Sequence, residues 1–199
     1  MPTIITRGAA SAMGFGLTNA IPYVKPLLLA VGTGQTSTVT SIAAGYSISG
    51  TFGSGTETYY LNKAKTSGKW YWEATYTSNQ VFHGITDAPA TTATNGGYTT
   101  ANAGVYSGAN TTWIDSGWTG TAVTGTWPGV STGNTIGFAL DMDSATKTLR
   151  AYVNNTLGVT LQWTGGAPTL YPMVCPYADM EVRVNTGCTY SPPSGYSFY

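Results

Sequence analysis

Apolar and aromatic residues recur along this chain in short bursts with a period of two, not with the 3.6-residue period of an amphipathic helix. The clearest burst is Lys69-Trp70-Tyr71-Trp72-Glu73-Ala74-Thr75-Tyr76, where alternation gives one large aromatic face. Comparable strand-like runs fall at 37–42, 46–52, 56–64, 68–77, 81–86, 135–141, 148–154, 160–163, 171–176 and 181–185. Weaker ones fall at 103–106 and 112–115. Clusters of Gly, Asn, Asp, Ser and Pro separate them, as expected for turns. Ten or so short strands without a long helical stretch predict an all-β fold of two packed antiparallel sheets. Two hairpins are predicted. One turns through Met142 to Thr148 and has its second strand ended by Asn154-Asn155, a residue type that tolerates positive φ; the other turns at Ala178-Asp179. No repeat of fixed period is present, which argues against a solenoid or propeller.

The first 35 residues break this pattern. Ile4-Ile5-Thr6 suits a short strand, and Gly8 to Gly16 is a small-residue stretch. Pro22 and Pro26 bracket a short extended run, and 32–37 reads as a linker. The expected organisation is an extended arm at 1–35 and a β-sandwich at 36–199. The arm holds too little apolar surface to fold alone, so it packs on a partner or back on its own sandwich.

Composition sharpens the picture. Eight Lys+Arg balance eight Asp+Glu among 199 residues, so only 8% are charged, against about 25% in ordinary globular proteins. Phosphate-tracking surfaces need clustered basic residues, so nucleic acid is not an expected partner. With 42% hydrophobic and 13% aromatic residues the chain is no charge-driven disordered segment. Its polarity comes from Gly, Ser, Asn and 35 threonines, and Thr favours strands. The longest aliphatic stretch, Leu27-Leu28-Leu29-Ala30-Val31, is far short of the ~20 residues that cross a bilayer, so no membrane insertion is expected. The glycine-rich run from Gly8 to Asn19 is a poor signal-peptide core. Cys175 and Cys188 form no disulfide framework for a chain of this size. They are two thiols or one local bridge, which fits folding in a reducing cytoplasm.

Candidate chemistry is sparse. His83 is the one histidine, so a multi-histidine metal site or a two-imidazole relay is excluded; inside a strand it suits a structural role. Asp141 and Asp143 form a close carboxylate pair that could ligate calcium, yet EF-type spacing is absent and the same residues suit hairpin-turn chemistry. Glu73 and Glu181 sit in strands at no defined separation. Gly32-Thr33-Gly34 and Gly53-Ser54-Gly55 lack the Lys and the helix of a phosphate loop. No catalytic residue, metal or cofactor is expected. The aromatics carry more signal. Tyr98, Tyr106, Trp113, Trp118 and Trp127 lie among Gly, Thr, Asn and Ser in loop-like sequence. Three readings stay open for them: stacking platforms for sugar rings, anchors of a protein interface, or rings that pin down a long loop region.

Several strands also carry a family resemblance. Gly68-Lys69-Trp70-Tyr71-Trp72-Glu73 resembles the "GKWYWEV" strand of SPRY (B30.2-like) domains. Gly133 to Asp141 resembles their "GDxIGVALD" strand, and Thr148 to Asn155 their "TLxFYVNG" strand. Leu170-Tyr171-Pro172 with Val182 to Gly187 is similar to the "LYPAV…VxxNFG" close, and Pro192 to Tyr196 to the "PPxGY" tail. These five motifs, in order, span about 55–199, and the resemblance implies a concanavalin-like two-sheet sandwich. Asn134, Asn155 and Thr186 depart from the family's usual Asp, Gly and Phe, and 88–132 matches no family motif, so no partner-binding residue carries over. The arm, Ile4-Ile5-Thr6-Arg7-Gly8 through Phe15-Gly16, resembles the "ITRGAASAxGFG" opening of bacteriophage structural proteins. That resemblance implies a non-enzymatic virion component, built in the bacterial cytoplasm. Ile4, Ile5, Arg7 and Phe15 would dock it on other virion proteins of capsid or tail in a multi-copy or homo-oligomeric assembly. The sandwich would then decorate the shell or meet a host surface glycan or protein. The alternative is a free-standing lectin-like carbohydrate-binding module.

Overall fold

The structure is a computed structural model that describes residues 28–31, 37–50, 58–76, 81–87, 103–106, 110–114, 116–166, 168–176 and 178–199. Ile4, Ile5, Arg7, Phe15 and Tyr98, with the short strand expected at Ile4-Ile5-Thr6, lie outside the described residues.

Two sheets form, as the alternation predicts. One contains β1 (Leu28–Val31), β4 (Thr58–Leu61), β13 (Tyr171–Pro176), β6 (Val81–Thr86), β7 (Ala103–Tyr106) and β8 (Thr111–Ile114), in that spatial order. The other runs β2 (Thr38–Ile42), β3 (Gly45–Ser49), β14 (Met180–Arg183), β5 (Lys69–Tyr76), β10 (Thr135–Asp141), β11 (Lys147–Val153), β12 (Thr156–Trp163) and β9 (Ala122–Gly125). β15 (Ser197–Phe198) adds in parallel to β5, beyond the point where β14 leaves it; every other pairing is antiparallel. Among the described residues the only helical piece is a 3-10 turn at Asn185–Gly187. β1 pairs with β4, so the sandwich already includes residues 28–31 of the stretch read from sequence as arm.

Three elements differ from the sequence reading for identifiable reasons. The strands around Ala178-Asp179 do not form a hairpin: β13 pairs with β4 and β6, whereas β14 pairs with β3 and β5 in the opposite sheet. Ala178-Asp179 is therefore a corner between layers, fixed where Asp179 Oδ1 accepts the Gly50 amide at 3.1 Å. β12 begins at Thr156, earlier than expected, because Asn154 (φ 47°) and Asn155 (φ 66°) make a two-residue left-handed turn straight into it. A register shift at Ala151/Tyr152 then breaks its period-two pattern. β9 is exposed throughout and shows no alternation to read; it exists because β12 offers it a ladder.

The core lies between the sheets. Trp72, Ala74, Ile136, Phe138, Leu140, Leu149, Val159, Leu161 and Trp163 face inward from the larger sheet, against Tyr59, Leu61, Ile85, Val105 and Val174 from the smaller. Trp72 and Phe138 are directly paired and stack at 5.4 Å, with planes 19° apart. On the outer face of β5 the pattern inverts. Glu73 is fully buried; its carboxylate accepts the Tyr71 phenol (2.9 Å) and the amides of Thr189 (2.5 Å) and Tyr190 (2.8 Å). This strap ends with the Tyr199 amide bonded to Tyr71 O and the Tyr199 ring in the core beside Trp72.

Glu73→Ala removes the acceptor of three donors, at about 1 kcal/mol or more each. It should cost about 3 kcal/mol in urea unfolding and speed amide exchange at Thr189 and Tyr190; an unchanged midpoint would show that the strap is held elsewhere.

Candidate functional site

Two concavities stand out. The larger, about 530 Å³, lies over β3, β14, β5 and β10, lined by Ser47, Thr75, Thr135, Asp179, Glu181 and Arg183 among others. Its charges are already engaged with one another. Arg183 donates from Nε (3.0 Å) and Nη2 (2.8 Å) to Glu181 and from Nη1 to Thr189 (2.6 Å), and Asp179 is committed to Gly50. That arrangement braces the strap and leaves little to recognise a ligand.

The smaller cleft is about 330 Å³ and lies where both sheets end. β8 is the last strand of one sheet and β9 of the other, and the cleft between them is lined by Asn110, Thr111, Thr112, Val123, Thr126 and Trp127, with Gly125 at its edge. Among the described residues no lining side chain is charged. Asn110 opens β8 in the left-handed region (φ 51°), and Gly129 (φ 74°) is bare where Asn110 reaches it: a Cβ there would stand 2.4 Å from Asn110 Oδ1. Glycine at 129 thus lets the carboxamide lie against the 126–130 segment. Trp127 is 3% exposed, and its buried indole N–H has no acceptor among the described residues. Buried donors are almost always paired, and the indole N–H of Trp163 is left in the same state.

The expected aromatic residues divide. Trp113, on β8, is 46% exposed and is the one strongly exposed tryptophan of the six. It sits opposite Gly104, itself opposite Gly84, on the outer face of its sheet, while Ile114 beside it packs on the core. Tyr106 is half-buried on that same outer face against Phe82, Met173 and Cys175. Trp118 and Trp127 pack in the core, the former away from the cleft and the latter against its wall. Trp118 lies 4.8 Å from Trp163 and rests on Gly166, where a Cβ would come within 2.8 Å of its ring. Trp127 packs by Gly158. The neighbouring glycines that read as loop are the space these rings occupy. Asn110, Thr111, Thr112, Val123 and Thr126 were not expected as site residues; the threonines flanking Trp113 were the only legible hint.

The titratable groups serve the scaffold. Complete burial holds His83 neutral, with its pKa lowered to about 3, and it sits 5.5 Å from Phe138 inside the core. Burial pushes the Asp141 carboxyl up, but bonds from Lys69 (2.9 Å), the Ser144 hydroxyl (2.8 Å) and the Ser144 and Asp143 amides outweigh it and bring it to about 2. Asp143 Oδ1 accepts the Gly68 amide at 2.6 Å. The pair thus builds the turn. Cys175 and Cys188 form no disulfide, and burial raises Cys188 to about 12. Among the described residues no three His, Cys, Asp or Glu side chains converge as metal ligands.

No protein-family model matches the chain, and no curated protein matches it. Its structure, however, is similar to solved SPRY domains. The TRIM65 PSpry domain aligns with a TM-score of 0.53 at 14% identity, over 81% of this chain and 89% of that one. The SPRY domain of human HERC1 aligns at 0.52 and 16%, over 73% and 91%. Another human SPRY domain aligns at 0.53 and 11%, over 73% and 94%. The chain therefore has the SPRY-type β-sandwich fold that its strand motifs resemble.

Two measurements follow from these placements. Trp118→Ala should cost about 3–5 kcal/mol in urea unfolding, as large core truncations do, whereas Trp113→Ala should stay within about 0.5–1 kcal/mol; equal costs would contradict the burial difference. His83 binds a proton in the unfolded chain below its ordinary pKa of 6.5 but not in the folded one until about pH 3. Its share of the stability is therefore present above pH 6.5 and lost as the pH falls towards 3, by about 1.4 kcal/mol per unit. His83→Leu should flatten that slope in unfolding midpoints taken from pH 7 to 4, and an identical slope would place the proton uptake elsewhere.

Proposed function

We propose that this chain is a non-enzymatic binding module of a bacteriophage particle. Residues ahead of β1 dock it on other virion proteins, and the sandwich presents its β8–β9 end outward. One observation carries the binding reading: Trp113 stays exposed on the outer face of β8, next in sequence to Thr112 of the hydroxyl- and amide-lined cleft, in a protein that otherwise packs its tryptophans inward. Aromatic anchors beside polar groups are the usual furniture of recognition surfaces. The titratable groups support a non-catalytic role, since His83 is sealed in the core and Asp141 and Glu73 are consumed by turn and strap. The particle and its assembly through the arm rest on the likeness of residues 4–16 to phage structural proteins. The low charge is in keeping with a subunit surface buried in an assembly.

Light scattering on the full chain and on one beginning at Leu27, which keeps β1, tests the arm. The expected result is a multimer for the full chain and a folded monomer for the shortened one. Two monomers would overturn self-assembly through the arm and favour a free-standing lectin-like module.

A further inference from the structure

We infer that the β8–β9 cleft binds an uncharged saccharide, with the Trp113 ring on the outer face of β8 as the stacking face; this rests on reading the chain as a binding module. The cleft offers three threonine hydroxyls, at Thr111, Thr112 and Thr126, and the Asn110 carboxamide, with no ionised group among the described residues. Such a lining can both donate to and accept from hydroxyls but offers nothing to neutralise a phosphate, sulfate or carboxylate. Its volume, about 330 Å³, falls near the lower end of the ~300–1,000 Å³ usual for small-ligand clefts. Thr111 and Trp113 share one face of β8, about 6.7 Å apart along the strand, so a ligand leaving the cleft over that edge meets the indole. An apolar ring flanked by hydroxyl and amide groups matches a sugar, which is apolar on its C–H face and polar around its rim.

The competing occupant of two sheet edges is an extended peptide added as a strand. Backbone geometry favours the sugar. Asn110 (φ 51°) interrupts the edge just before β8, and Gly125 (φ 83°) ends β9 in the left-handed region. Each edge is four residues long, so neither presents a continuous ladder.

The test uses the full chain against a panel of maltose, cellobiose, lactose and N,N′-diacetylchitobiose, read by saturation-transfer NMR and tryptophan fluorescence. A 14-residue random peptide library, about the length a strand pair could capture, is panned on the same protein. The expected result is binding of at least one sugar at about millimolar strength, weakened about tenfold or more by Trp113→Ala and clearly by Thr112→Val, with both variants folded by circular dichroism. Raising NaCl should leave the affinity within about twofold, because no ion pair forms. Sugar binding unaffected by both variants, or no binding across the panel, overturns the saccharide assignment. Peptides captured by the native protein and lost in both variants would overturn it while leaving the binding surface in place. Neither sugar nor peptide bound at this cleft would remove the binding-module reading as well.

Discussion

A carboxylate buried in a sheet must be answered by donors, and much of this molecule is arranged around the one at Glu73. An unpaired charge in that position would cost far more than the fold's margin of stability. Tyr71, Thr189 and Tyr190 answer it, and the chain after β14 has to cross the outer face of β5 to bring those amides there. That crossing lets β15 extend the edge of β5, and it delivers the Tyr199 ring into the core beside Trp72 and Trp70. Lys65 then lies over Trp70 at 3.4 Å and Tyr199 at 4.3 Å, and burial, with Lys63 nearby, lowers its pKa to about 8. β5 is thus used on both faces. Its even-numbered residues build the core and its odd-numbered ones tie down the C-terminal strap.

The same economy explains the glycines. Gly137 faces the Tyr71 phenol, where a Cβ would come within 2.4 Å of the hydroxyl, so the ring that bonds Glu73 lies flat across β10. Gly166 does likewise for Trp118. In a chain with so few charges, close ring-on-backbone packing replaces many of the contacts that longer side chains would make. A tryptophan among glycines is here a sign of burial.

That inversion marks the limit of what the sequence discloses. Strand alternation is a local property, so the β5, β10, β11 and β13 runs were legible, and so was the sandwich. Motif order even indicated which strands it contains. Sheet membership is not local. Nothing in Tyr171 to Val184 distinguishes a hairpin from a corner that sends β13 and β14 to opposite sheets, because the deciding partner, Gly50, is distant in sequence. The candidate site was read less well for the same reason. Trp113 was legible as an aromatic in polar surroundings, but Trp118 and Trp127 shared that setting and differ only in what folds over them. The cleft itself joins 110–112 to 123–127 across two different sheets, a proximity no period or motif encodes.

The two edge strands at this cleft present a physical problem of their own. Exposed edges invite further strand pairing, and proteins commonly blunt them with Lys, Pro or covering segments. Neither β8 (TTWI) nor β9 (AVTG) carries a charge or a proline. What limits them is brevity and the left-handed residues at their ends, Asn110 and Gly125. An edge shortened in this way breaks a row of backbone donors and acceptors into a few separate groups, and beside them stand hydroxyls, a carboxamide and an indole. The device that discourages another strand therefore leaves the pattern of discrete polar points around an aromatic face that a small hydroxylated ligand can use. Protection of the sheet edges and construction of the cleft follow from the same backbone turns.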